Sequence, residues 1–154
     1  MNQDWSKISQ FSEPEHSPGF LLWQVSSLWR RKIETALYPL GITHVQFVLL
    51  ANLSWREHFD KKSTQIELAR SCKIDVNMAS QVLRTLEKKG YLERTREPGN
   101  ERAKFPRLTE TGKDIIKQAM LIIEEADREF FNCLETDLEE FKESLQKLIT
   151  QIGD

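Results

Sequence analysis

Apolar positions along the chain recur at spacings of three and four almost throughout, the pattern of amphipathic helices. Ser17-Pro18 opens the first helix, serine as the cap and proline in the first turn, and Gly41 ends it after about Leu40. Its apolar residues, Phe20, Leu21, Trp23, Leu28, Ile33, Ala36 and Leu37, spread over more than one stripe, as in a helix that touches several neighbours. Thr43 caps the next helix, HVQFVLLANLSW, and a polar loop is expected over 56–62.

Residues 63–90 read as two short helices around a tight turn. Thr64 and Glu67 form a capping box, and Ile66, Leu68 and Ala69 give the first of these helices a small apolar face. Ser71-Cys72-Lys73-Ile74 makes the turn and Asp75 caps the second helix, where Met78, Ala79, Val82, Leu83 and Leu86 form one stripe. After Gly90, a natural helix end, YLERTR and AKFPRL flank EPGNER. This predicts a β-hairpin with a tip longer than the tightest turns allow. Pro106 cannot donate to a ladder, so its strand is an edge strand.

Thr109 caps a long helix, ETGKDIIKQAMLIIEEADREFFNCL, with Ile115, Ile116, Ala119, Ile122, Ile123, Ala126, Phe130 and Phe131 on one broad face. Thr136 or Asp137 starts a last helix with Leu138, Phe141, Leu145, Leu148, Ile149 and Ile152 inward. Residues 1–16 are polar, with Trp5, Ile8 and Phe11 making at most one amphipathic turn. They form an arm that either packs on a partner subunit or is disordered.

The predicted fold is mainly α with a small β-hairpin wing, a winged helix-turn-helix carried between N- and C-terminal dimerisation helices. Its units are the arm at 1–16, a dimerisation helix at 17–41, the winged unit at 42–108 and C-terminal dimerisation helices at 109–154. That much apolar helix outside a small winged unit calls for a partner, and a second copy in a two-fold dimer is the economical one. Recognition helices would then sit about 34 Å apart, one turn of DNA.

The stripe in the second short helix leaves Asn77, Ser80, Gln81, Arg84, Thr85 and Lys88 on or beside the other face. Asparagine and glutamine can bond adenine in a bidentate way, arginine can do so with guanine, and serine serves either. Any solvated helix face is polar, so the hairpin matters. It carries Arg94, Arg96, Arg102, Lys104 and Arg107 against Glu93, Glu97 and Glu101, and an arginine at such a tip can enter the minor groove or hold phosphates. Charge agrees. Residues 61–113 hold 13 Lys/Arg and 7 Asp/Glu, a net +6, within a chain whose net charge is −2. A basic middle on an acidic frame is the footprint of a nucleic-acid surface.

The runs TQIELA, LRTLEKKGYLER and NERAKFPRLTETG, with ITHVQFVLLANL upstream, resemble the MarR family of bacterial transcription regulators over roughly residues 42–113. The resemblance implies a homodimer joined by the first and last two helices, bound to a pseudo-palindromic double-stranded operator. It also implies a small, often anionic aromatic effector bound between the dimer helices and the winged unit. Two departures stand out. The wing has Asn100-Glu101-Arg102-Ala103 where the family usually has Asp-x-Arg, and Ser80 and Gln81 stand where many members have Thr and Arg. Base preference therefore does not transfer.

The chain so read is a DNA-binding repressor, with Asn77, Ser80, Gln81, Arg84, Thr85, Arg96, Arg102 and Lys104 on DNA. Trp23, Ser27, Arg30, Arg31, His44 and Phe47 are the candidates for holding an effector, aromatic walls plus cations suiting a carboxylate-bearing ring. Each could equally be core or interface. Two other readings stay open: a thiol switch at Cys72 in the turn before the recognition helix, and a winged-helix module that meets another protein. Cys133 lies near the end of the long helix. Neither cysteine has disulfide or zinc spacing, and His16, His44 and His58 show no metal-ligand spacing, so no metal or cofactor is expected. No nucleophile–base pair, phosphate loop or catalytic carboxylate pair is recognisable, so no enzymatic activity is expected. With no signal peptide and no apolar run long enough for a membrane, the expected location is the cytoplasm.

Overall fold

The computed structural model describes residues 4–151. Helix α1 spans Pro18–Leu37, its N-terminus satisfied by the Ser17 hydroxyl, which accepts the Phe20 N–H at 3.3 Å. Pro39 has no N–H to continue the ladder, and the chain tightens into a 3₁₀ turn over Tyr38–Leu40 before Gly41 reverses it at φ 64°. Helix α2 spans His44–His58 and opens with a full capping box between Thr43 and Gln46. It runs further than its apolar pattern suggests. Arg56 donates to Asn52 one turn back at 3.0 Å, and Arg56 and His58 suit the negative end of the helix. The loop expected at 56–62 is therefore shorter and begins at Phe59.

Helix α3, Gln65–Ser71, carries the Thr64/Glu67 capping box, and α4, Val76–Lys88, starts under Asp75, whose carboxylate accepts from the Asn77 and Met78 N–H groups at 3.0 Å. Strands β1, Leu92–Glu97, and β2, Asn100–Leu108, pair antiparallel, Leu92 opposite Leu108 and Glu97 opposite Asn100. The connection is only Pro98-Gly99, with Gly99 at φ 86°, which suits a type II turn. The long tip expected from EPGNER is not there. Its extra residues enter the strands instead: between the Thr95–Phe105 and Glu97–Asn100 pairs, β1 advances two positions and β2 five, so β2 bulges beside the turn.

Helix α5, Glu110–Phe131, follows the Thr109 cap, and ends earlier than predicted in a 3₁₀ stretch over Asn132–Asp137, kinked at Glu135 (φ 45°, ψ −115°). Helix α6 spans Leu138–Gln151. Ile152 lies outside the described residues.

The core gathers Ile33 and Leu37 of α1, Leu49, Leu50 and Leu53 of α2, Leu68 of α3, Leu83 and Leu86 of α4, Leu92 and Leu108 of the hairpin, and Ile116, Ala119 and Ile123 of α5. Two residues of the winged unit predicted to face the core are not in it. Met78 is 50% exposed, at the rim of the stripe set by Ala79, Leu83 and Leu86. Ile66 is 44% exposed, because two helical residues turn it about 200° away from Leu68. Outside the winged unit, Phe20, Leu21, Trp23 and Leu28 of α1 and Leu121 of α5 are exposed. Helix α6 buries no residue fully, and Leu148 and Ile149 are open. One chain thus leaves uncovered the apolar faces that its first and last helices carry.

Candidate nucleic-acid interface

The outward face of α4 follows from helical spacing. Asn77, Gln81, Arg84 and Thr85 recur at four, three and one, and all are exposed, while Ser80 is half-buried at the edge of the stripe. The Thr85 hydroxyl donates to the Gln81 carbonyl at 3.2 Å, leaving its oxygen lone pairs outward. The side chain of Arg84 makes no ion pair among the described residues, so its five donors are available. On the hairpin, Arg96 and Arg102 are exposed beside the turn and the bulge, and Lys104 is half-buried. The structure thus gathers the eight candidate DNA residues on two adjoining elements, α4 and the hairpin.

Arg94 does something different from the other hairpin cations. Its side chain is only 7% exposed and lies against Glu87 of α4. Nε and Nη2 donate to one carboxylate oxygen at 3.0 and 2.5 Å, and the Arg94 backbone N–H donates to the other at 3.2 Å. These bonds hold the Glu87 carboxyl below its ordinary range, with Lys104 adding to the pull. The pair fastens β1 to the last turn of α4. Sequence reasoning counted Arg94 among the basic residues of the wing and missed the lock. The available signal was parity: Arg94 shares the inward strand face with buried Leu92.

Further ties seat the hairpin. The Leu108 N–H donates to Glu57 of α2 at 2.8 Å, the Thr109 hydroxyl to the Gly90 carbonyl at 2.6 Å, and Lys62 pairs with Glu97 next to the turn. Behind α4, Lys89 donates to the Gly41 carbonyl at 2.7 Å and to Gln46 at 3.2 Å. Helix α4 and the hairpin are held to the core and to each other, while Arg84, Arg96 and Arg102 are exposed and make no ion pair among the described residues.

Of the six effector candidates, Arg30 lies near enough to His44 to act on its charge. Phe47 is in the core at 8% exposed, and Trp23 stands at 66%. His44 is half-buried with its ring edge against Trp29, centroids 4.9 Å apart, and Trp29 donates to Asp127 of α5 at 2.7 Å. Burial pushes the His44 pKa down, against Glu34 and Asp127 and with Arg30. Arg31 lies apart from these, lining an open apolar groove of about 680 Å³ between α1 and α5 with Leu28 and Leu121. Ser27 is half-buried and Arg30 exposed on α1.

Cys72 is half-buried and burial pushes its thiol up, so little of it is thiolate; Cys133 is exposed. Among the described residues no three His, Cys, Asp or Glu side chains are grouped to hold a metal, and no single helix is long and apolar enough to cross a membrane.

Comparison with known proteins bears on this geometry. The model of the MarR family matches residues 42–104, from the start of α2 to the wing. An uncharacterized HTH-type transcriptional regulator of Bacillus subtilis, YdcH, is 41% identical over 141 residues, covering 92% of this chain and 95% of that protein. The HTH-type transcriptional repressor Rv2887 of Mycobacterium tuberculosis is 32% identical over 84% of this chain and 91% of its own length. Its crystal structure in complex with salicylic acid matches with a TM-score of 0.66, covering 86% of this chain and 96% of that one. A mutant of MarR from E. coli in complex with operator DNA shares the fold at a TM-score of 0.76 and 24% identity, covering 96% and 99%. With 41% identity along nearly its whole length to one such regulator, and the winged unit matched from Ile42 to Lys104, the chain belongs to the MarR family of transcription regulators.

Proposed function

We propose that this protein is a homodimeric repressor that binds a pseudo-palindromic DNA site and releases it on binding a small anionic effector. One observation carries the DNA reading: α4 presents Asn77, Gln81 and Arg84 outward, and the hairpin locked to it through Arg94 and Glu87 presents Arg96 and Arg102. In this reading Asn77, Ser80, Gln81, Arg84 and Thr85 meet base edges and phosphates in the major groove. Arg102 and Arg96 reach the flanking minor groove or its phosphates, with Lys104 behind them. The uncovered apolar faces of α1, α5 and α6 support the dimer. The repressor named among the relatives, and the salicylic acid bound in its structure, support repression relieved by a small organic acid.

The test is a titration of the purified protein against fragments of its own upstream region at two salt concentrations. Tight binding to one fragment, one dimer per site, falling steeply as salt rises, is the expected result. Weak binding alike for every fragment, or a flat salt dependence, would sink it and favour a protein-binding module. The thiol-switch reading is opposed by the raised thiol of Cys72. It predicts that Cys72→Ser abolishes an oxidant response; the effector reading predicts no such response to abolish.

A further inference from the structure

Of the apolar residues of α4, only Met78 is exposed, at 50%. The stripe of Ala79, Leu83 and Leu86 closes the core without it. Its position is nevertheless well held. The Met78 N–H and that of Asn77 both donate to the Asp75 carboxylate at 3.0 Å, which fixes the first turn of the helix. With about 100° of rotation per residue, Met78 stands about 60° from Gln81 and about 20° from Thr85, on the same outward arc. Glu87, which fastens the hairpin, stands about 180° away, on the other flank.

An exposed thioether adds to that arc what its amides, hydroxyls and guanidinium lack. Asparagine and glutamine bond the edge of adenine, while the thymine across the pair presents a C5 methyl in the same groove, which an apolar side chain reads. Methionine suits such a contact, because it is unbranched, polarizable and adapts to the shape it meets. The N-terminal residues of a recognition helix are the ones that reach base edges, and Met78 is the third residue of α4. Residues three apart on a helix have Cβ atoms about 5–6 Å apart, less than two base-pair steps of about 3.4 Å. An adenine met by Gln81 and a thymine met by Met78 therefore belong to the same pair or to neighbouring pairs.

We propose that Met78 is a specificity-determining residue that seats the C5 methyl of one thymine in each half-site, on the flank of α4 away from the hairpin. Cytosine in that place brings an amino donor and no methyl, so the same side chain disfavours a C·G pair there. The inference rests on the DNA-binding reading and adds to it the base that one residue selects.

The experiment selects random double-stranded DNA with the full chain, as wild type, Met78→Ala and Met78→Leu, and sequences what each retains. The wild type should enrich a two-fold symmetric site with one fixed T·A pair in each half. Met78→Ala should keep the rest of the site and lose the choice at that pair, while Met78→Leu, still apolar, should keep it. Deoxyuridine in place of that thymine removes only the methyl. It should weaken the wild type about four-fold per half-site, the weight of one buried methyl group, and leave Met78→Ala unmoved. Alanine favours the helix and the position is exposed, so circular dichroism should show the variant folded. An unchanged site for Met78→Ala, a loss spread over every position, or an equal deoxyuridine penalty in both proteins overturns the proposal and leaves the DNA reading standing. No enriched sequence for the wild type brings down both.

Discussion

Two arginines eight residues apart on the hairpin have opposite fates, and burial separates them. Arg94 is sealed against Glu87, whereas Arg102 stands in solvent beside the bulge of β2. Arg102→Ala should therefore weaken operator binding by about 1–3 kcal/mol without moving the thermal midpoint, read by titration and calorimetry on the same preparation. Glu87→Gln leaves a buried guanidinium beside a neutral amide and should cost stability; the penalty for breaking a buried pair reaches about 3–5 kcal/mol, and the exposure of Glu87 places this case below that range. Loss of affinity without loss of stability for Glu87→Gln would refute a locking role. His44 makes a prediction in pH. Its folded pKa lies below the ordinary 6.5, so the unfolded chain takes the proton first as pH falls through 6.5. The stability held by the neutral ring is complete above that value and lost on acidification below it. Melting midpoints across pH 5 to 7 should show this slope, and His44→Gln should flatten it.

At the scale of elements, the caps were the most legible feature of the chain. Ser17, Thr43, Thr64, Asp75 and Thr109 each accept an N–H at the helix start predicted for them, because capping depends on residues within one turn. Asp75→Ala should cost about 1 kcal/mol and fray the first turn of α4. What periodicity could not supply was anything that depends on a neighbouring element. Met78 and Ile66 have the right residue type, yet one lies at the margin of its stripe and the other turns away from Leu68, and both are about half exposed. The Glu87–Arg94 lock joins a helix to a strand across the helix end at Gly90, so neither the helical nor the strand period runs through it. The effector set, Trp23, Ser27, Arg30, Arg31, His44 and Phe47, depends on how α1, α2 and a partner's helices meet, which spacing along one chain does not carry. The turn of the wing was misjudged because Pro98-Gly99 alone closes it and β2 absorbs the surplus. Gly112 marks another such contact. A Cβ there would fall on the Tyr91 carbonyl oxygen, so Gly112→Ala must displace α5 from the hairpin base. The expected cost is about 3 kcal/mol, the upper end for overpacking, read as a drop of several degrees in melting temperature.

For the whole molecule, the exposed Leu28 of α1 and Leu121 of α5 line the groove that a second copy would fill. Leu28→Glu with Leu121→Glu should give a folded monomer in sedimentation, with operator affinity reduced by orders of magnitude because each half-site then binds alone. A double variant that still sediments as a dimer would move the interface elsewhere. The winged unit and the outer helices are joined by α5, which begins against the Tyr91 carbonyl and ends at the kink before α6. Its 22 residues make a rod about 33 Å long. A tilt of about 5° at the kinked end would swing the wing end by about 3 Å over that length, close to the 3.4 Å rise of one base-pair step. The stiffness of α5 is thus a gear ratio: angular changes too small to break a contact at one end become a whole-step error in DNA register at the other.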